Sequence, residues 1–189
     1  VQDPFAFGRI ADEWVDEIEN LDVWFHSEVT AAERVGETWE VSVLCRGTVL
    51  RVSARALVDA SGDAVLAEIL GAETAVVESS ILQRPAYIFG LQGVDPVDVA
   101  DDARVRLAAY LAEGVRLGDL PKEALGATFR AVPGSGKVFA TIDLGAGEKK
   151  WDATHPLSLS SVEVMGRKTA FSLAAYLQDK VPGFAHSRI

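Results

Sequence analysis

The fold of this chain is decided by one short stretch, Leu57-Val58-Asp59-Ala60-Ser61-Gly62-Asp63. It reads as an apolar strand over residues 56–58 that stops at a turn of small residues and passes into a helix over residues 63–70. Open α/β sheets bind nucleotides outside the carboxyl ends of their strands. Gly62 lets a ligand approach the backbone, and Asp63 can cap the helix, whose free amides attract phosphate. The stretch therefore predicts one wall of a nucleotide site.

Composition narrows the class of protein. The chain has 189 residues, 49% of them hydrophobic, so it can bury a core. Its formal net charge of −10 argues against a nucleic-acid partner, because phosphate binding needs a basic face. The single cysteine, Cys45, excludes an internal disulfide and favours a cytoplasmic location. No apolar run approaches the ~20 residues of a membrane segment, and no pattern predicts the oligomeric state.

The pattern of apolar residues predicts the elements that precede the opening stretch. Ile10, Trp14 and Ile18 recur every four residues, which predicts an amphipathic helix with one buried stripe. Residues 21–25 read as a strand, and residues 29–52 read as an antiparallel β-meander with turns at Gly36 and Arg46-Gly47.

The second half of the chain reads as alternating strands and helices. We expect a strand over residues 80–91 and a helix that opens at Asp95-Pro96 and ends at Gly114. A strand pair is expected over residues 128–132 and 137–142. The capping box Ser160-Ser161-Val162-Glu163 predicts the start of the longest helix, which Pro182-Gly183 ends.

Two short motifs fail as catalytic or phosphate-binding signatures. In Gly134-Ser135-Gly136-Lys137, a phosphate loop would need glycine where Ala131 stands and Ser or Thr where Val138 stands, so a hairpin turn is the better interpretation. Ser61 lacks the nucleophile elbow of a hydrolase, because Asp59 stands where that motif has glycine.

Polar residues outside the opening stretch offer few candidates for chemistry. His26, His155 and His186 lack metal-ligand spacing, so no metal site is predicted. A surface or capping role is the better interpretation of each, and His155 is the least improbable catalytic candidate of the three. Arg84 and Arg167 lie in largely apolar sequence, where a guanidinium either clamps a carboxylate substrate or forms a structural ion pair.

Four motifs together resemble FAD-dependent oxidoreductases, specifically the glutathione-reductase-like flavoproteins near the fumarate reductase and succinate dehydrogenase flavoprotein group. Residues 57–64 resemble the family's last Rossmann strand, Asp-Ala-Thr-Gly-Asp, with Ser61 keeping the threonine hydroxyl. The other three motifs are the stretch from Leu82-Gln83-Arg84-Pro85 to Gly93-Val94-Asp95, the helix from Leu159 to Lys168 with its Gly166-Arg167, and its ending Val181-Pro182-Gly183-Phe184. Phe89-Gly90 departs from the family's usual Phe-Arg.

The resemblance implies a fold and its division. It implies a mixed α/β (α+β) fold, with a partial Rossmann-like FAD-binding sheet and the antiparallel β-meander beside a mostly antiparallel substrate-type domain. We expect a partial FAD-binding region over residues 1–72, with the meander at 29–52. A substrate or cap-type α+β domain follows over residues 73–157, and a long helix over residues 158–189 returns to the FAD-binding region.

The resemblance also implies a function and site residues. It implies that backbone near Val29 meets the adenine of FAD, and that Ala60, Ser61, Gly62 and Asp63 approach the adenosine and pyrophosphate. The parent enzyme would pass electrons or hydride through FAD to or from a small-molecule substrate. Candidate substrate-binding residues are Arg84, His155 and Arg167, and no catalytic residue is assigned.

The family's Gly-x-Gly-x-x-Gly loop is missing from the sequence, and the one methionine is Met165. We therefore expect a central fragment of a longer flavoprotein, itself inactive and a weak FAD binder. The alternatives are a non-catalytic binding or interaction module with a flavoprotein-derived fold and a non-redox α/β enzyme such as a hydrolase.

Overall fold

A computed structural model describes residues 3–75, 83–146, 152–153 and 155–189. The chain divides into two compact units. We call residues 8–77 the meander unit, and residues 1–7 with 78–189 the core unit. The fold is mixed α/β, with two three-stranded antiparallel sheets. Because no parallel strand pair occurs among the described residues, the Rossmann-like sheet stays a prediction.

The meander unit is built on three consecutive strands that pair in the order β1-β2-β3. Gly36, at φ 62°, and Arg46-Gly47, at φ 48° and 87°, supply the left-handed backbone that the two tight turns require. The predicted meander is therefore confirmed. The elements of this part of the chain are α1 (Pro4–Asp16), β1 (Ser27–Val35), β2 (Thr38–Cys45), β3 (Thr48–Ala54) and α2 (Val65–Ile69).

Three expectations for this part of the chain are wrong. Residues 21–25 and 56–58 form no strand, and the side chain of Val58 is 85% exposed. A strand forms only where a neighbour completes its hydrogen-bond ladder, and the described residues offer these segments none. The apolar stripe of α1 is not buried either, since no residue of this helix is buried and Trp14 is 65% exposed.

The core unit contains the second sheet, in the order β4-β6-β5. The predicted strand pair and its hairpin turn at residues 133–136 are confirmed. The strand expected over residues 80–91 begins only at Ala86, after Pro85, which has no N–H for a ladder; residues 80–82 lie outside the described residues. The elements are β4 (Ala86–Gln92), α3 (Arg104–Leu117), β5 (Thr128–Val132), β6 (Lys137–Asp143) and α4 (Pro156–Lys180).

Five 3-10 helices occur among the described residues of the core unit. The 3-10 segments are Pro96–Val99, Asp101–Ala103, Lys122–Gly126, Leu144–Ala146 and Pro182–Phe184.

The two long helices differ from their expected bounds. Helix α3 runs past Gly114 and ends at Leu117, with Gly118 as its C-cap at φ 83°. Helix α4 begins at Pro156, ahead of the capping box, because the His155 Nδ1 accepts a hydrogen bond from the Leu157 amide. No helix in the described ranges is long and apolar enough to cross a membrane.

The main hydrophobic core lies between the second sheet, α3 and α4. Gly166 makes the close approach of α4 to the sheet possible, because a Cβ there would lie 2.4 Å from the Tyr87 ring. The buried face of α4 includes Thr169, Leu173 and Leu177. That α4 also returns to an FAD-binding region stays a prediction.

We expect Gly166→Ala to lower the free energy of unfolding by about 2 kcal/mol, because the added methyl group overpacks the contact with Tyr87. The gain in helix propensity, about 1 kcal/mol, offsets only part of the clash. Chemical denaturation of the two variants Gly166→Ala and Ser172→Ala measures the effect. Ser172 lies exposed on the same helix, so its variant should stay within about 0.5 kcal/mol of the native chain. Equal free energies of unfolding for the two variants would show that the Tyr87 side chain moves aside without loss of stability.

Candidate functional site

The turn at residues 59–64 is organised by the carboxylate of Asp59. Its Oδ1 accepts hydrogen bonds from the Ser61 amide at 2.9 Å and the Ser61 hydroxyl at 2.6 Å. Its Oδ2 accepts from the amides of Leu66 and Ala67 at 3.0 and 3.1 Å. The Ser61 hydroxyl in turn accepts from the Val65 amide at 3.1 Å. Asp59 and Ser61 therefore cap α2 from outside the helix, and the expectation that Asp63 caps it is wrong.

These contacts keep the Asp59 carboxylate charged. The Ser61 hydroxyl, followed by the amides of Ser61 and Ala67, lowers the pKa of Asp59 from its ordinary 3.8 to about 2. Hydrogen bonds donated to a carboxylate favour its ionised form, and a negative charge at a helix N-terminus is favoured by the helix dipole. The negative charge therefore stays at the start of α2 throughout the physiological pH range.

The backbone around Gly62 is left-handed at two nearby positions. Gly62 has φ 83°, and Ala64, which carries a side chain, has φ 56°. An L-residue with a Cβ rarely adopts this conformation, so the Asp59 contacts hold Ala64 in a strained state. A Cβ on Gly62 would meet nothing within 4 Å, so one face of the turn is open.

The candidate residue Val29 lies on the strand that α2 packs against. Val29 pairs with Val43 across β1 and β2, and a β-bulge follows between Val29 and Ala31. Because α2 contacts β1, the strand of Val29 and the helix that follows the Asp59 turn belong to one packed unit. The structure thus places all five cofactor candidates, Val29, Ala60, Ser61, Gly62 and Asp63, in the meander unit.

Arg84 is engaged by an acid that the sequence did not single out. Its guanidinium lies 3.3 Å from the Asp143 carboxylate, and its aliphatic stem lies against Gly145. The other Asp143 carboxylate oxygen accepts a hydrogen bond from the Gly145 amide at 2.8 Å. With 68% of its side chain exposed, Arg84 forms a surface ion pair whose guanidinium still faces solvent.

The other two substrate candidates lie on α4, and each has a local role. Arg167 forms an ion pair of 3.5 Å with Glu163 one turn away, and His155 caps the helix. None of the contacts within the described ranges joins Arg84, His155 and Arg167 to one another. No group of three or more His, Cys, Asp or Glu that could hold a metal ion occurs among the described residues.

Asp59 carried a local signal in the sequence. An aspartate carboxylate can accept the amide two residues later in an Asx turn, which leaves its second oxygen free for the helix amides. Asp143, the partner of Arg84, carried no such signal, because 59 residues separate the two.

The comparisons with known proteins add the family. A sequence model described as FAD dependent oxidoreductase matches residues 1–189. The chain belongs to this family. Neither the comparison with curated proteins nor the comparison with solved structures gives a match. As a member of the FAD-dependent oxidoreductases, the chain has FAD as its cofactor and redox chemistry as its class of reaction, which confirms those two predictions at the level of the family.

We predict that the Asp59 carboxyl titrates with a midpoint of about 2. The depressed pKa stabilises the fold at pH values above the unfolded value near 4, and that stabilisation is lost as the pH falls towards 2. Side-chain carbonyl NMR across this range measures the midpoint. In Ser61→Ala it should rise towards 3.8, because the hydroxyl is the largest cause of the shift. A midpoint near 4 in the native chain would contradict the capping role.

Amide exchange gives the matched control for this prediction. Asp59→Asn should speed hydrogen exchange at Leu66 and Ala67, whose amides bond to Asp59, whereas Asp63→Asn should leave both rates unchanged.

Proposed function

We propose that the chain is the central segment of a larger FAD-dependent oxidoreductase that transfers electrons or hydride between FAD and a small-molecule substrate. FAD, when bound, supplies the redox chemistry through its isoalloxazine ring, and the protein supplies position and electrostatics. The observation that carries the proposal is the Asp59 turn in a chain that belongs to this family. The glutathione-reductase-like subgroup, near the fumarate reductase and succinate dehydrogenase flavoproteins, is part of the proposal.

Exposed apolar side chains support the idea of a larger domain. Trp14, Trp24 and Phe25 are 65%, 47% and 67% exposed, and Val58 stands extended without a strand partner among the described residues. The apolar stripe of an amphipathic helix normally packs on a core, whereas no residue of α1 is buried. We infer that residues 56–58 complete a strand, and that the stripe of α1 becomes buried, when the remainder of a Rossmann-like FAD-binding domain is present.

The turn at residues 59–64 fits the adenosine part of FAD better than the pyrophosphate. The amides of Val65, Leu66 and Ala67 are already taken, and Asp59 adds a negative charge, so the start of α2 does not fit the pyrophosphate. The open backbone at Gly62 fits a close, uncharged contact instead. We therefore assign the adenosine side of FAD to Ala60, Ser61, Gly62 and Asp63, with Val29 beside the adenine, and leave the pyrophosphate to residues outside this set.

The substrate side of the proposal rests on residues 73–157 and on the start of α4. Arg84 presents an exposed guanidinium that an acidic substrate can reach, although this guanidinium already forms an ion pair with Asp143. Arg167 and His155 remain weaker candidates, because Glu163 and the helix start already engage them. A cytoplasmic location, favoured by the single cysteine, belongs to the same proposal.

The alternative function is a non-catalytic binding or interaction module that keeps the flavoprotein fold. The reading frame upstream discriminates between the two. A strand followed by Gly-x-Gly-x-x-Gly roughly 100 to 150 residues before Val1 supports the oxidoreductase, and its absence supports the module.

We expect Gly62→Ala in the longer enzyme to weaken FAD binding about tenfold, because the new methyl group lies where adenosine is proposed to approach the backbone. Gly36→Ala is the matched control. Gly36 also has a positive φ and open space where a Cβ would lie, so the backbone strain is similar, but it lies in the β1–β2 turn. Flavin fluorescence titration measures both variants. Equal FAD affinities in the two variants would remove the turn from the cofactor site.

We also expect the 189-residue chain alone to be colourless after gel filtration in the presence of FAD. Its α2 amides are occupied, so it has few donors for the diphosphate. Absorbance near 450 nm co-eluting with the chain would show that these residues suffice to hold FAD.

A further inference from the structure

A cavity of about 230 Å³ in the core unit has no part in the proposed FAD contacts. It lies between α3, β5 and the 3-10 helix Lys122–Gly126. Its walls are mainly apolar, with Leu107 and Leu111 contributed by α3 and Phe129 by β5. These three side chains also belong to the hydrophobic core, so the wall of the cavity is rigid.

Two arginines stand where this cavity meets solvent. Arg104 and Arg130 both line it, and both are exposed. The guanidinium of Arg130 has no ion-pair or hydrogen-bond partner among the described residues, although its backbone pairs with Phe139 in the sheet. Arg104 pairs with Asp101 at 2.7 Å, but Asp101 is 89% exposed, and an ion pair this open contributes little and exchanges readily.

We propose that this cavity binds a small aliphatic monocarboxylate, with the hydrocarbon tail against Leu107, Leu111 and Phe129 and the carboxylate at Arg130. A guanidinium binds a carboxylate through two parallel N–H donors, and it does so more strongly than a neutral group. The apolar wall selects an anion that carries a hydrocarbon body, because a bare inorganic anion would leave that wall in contact with water.

The volume limits the length of the ligand. A water molecule occupies about 30 Å³ in the liquid, so the cavity holds the equivalent of about eight waters. This space suits a ligand of about eight non-hydrogen atoms, which is the size of hexanoate.

Titration of the 189-residue chain with hexanoate tests the proposal by NMR. We expect saturable shifts of the amides of Ala108 and Thr128, which line the cavity, with a dissociation constant on the order of 1 mM. Hexan-1-ol, which has the same tail without the charge, should bind about tenfold more weakly. Absence of saturable shifts, or equal affinities for the acid and the alcohol, would overturn the proposal.

Variants test which residues form the site. Arg130→Gln should weaken hexanoate binding about tenfold, whereas Arg116→Gln, which removes the same charge from the far end of α3, should leave it unchanged. Ala108→Leu fills the cavity from an exposed position and should abolish binding. Equal losses from both arginine variants would indicate a general charge effect and overturn the assignment. FAD takes no part in these measurements, so their outcome is independent of the proposed redox function.

Discussion

The close approach of α4 to its neighbours sets the geometry of the core unit. Two glycines create the necessary space, because Cβ atoms at Gly166 and Gly114 would fall 2.4 Å and 2.7 Å from the rings of Tyr87 and Tyr176. The Tyr176 hydroxyl then donates to the Tyr110 carbonyl on α3 at 2.9 Å. Dispersion weakens steeply with distance, so these two close contacts allow the whole apolar face of α4 to pack.

The meander unit depends on a different interaction. Few of its side chains are buried, with Val41 and Val43 the most enclosed, so packing alone holds it weakly. A single carboxylate, Asp59, instead joins the turn to α2 by accepting four hydrogen bonds. That arrangement orders the backbone at Gly62 and leaves it open to solvent.

Local signals in the sequence predicted the elements whose partners are close along the chain. The meander, its turns at Gly36 and Arg46-Gly47, and the hairpin at residues 133–136 were all confirmed, because each depends on a few neighbouring residues. Long-range pairing was less accessible. The segment at residues 56–58 has the apolar character of a buried strand, yet a strand needs a partner, and the described residues supply none.

The sequence by itself determined the family, the β-meander and the position of the turn at residues 59–63, because these depend on residue types and local spacing. Only the tertiary structure decided which residues cap α2, pack against neighbouring elements or form ion pairs. Asp59 rather than Asp63 caps α2, Gly114 packs instead of ending α3, and Asp143 engages Arg84. Each of these outcomes depends on distances between residues in the folded chain. Asp59 and Asp63 are both suitable capping residues by local sequence, and only the fold decides which of them reaches the amides of α2.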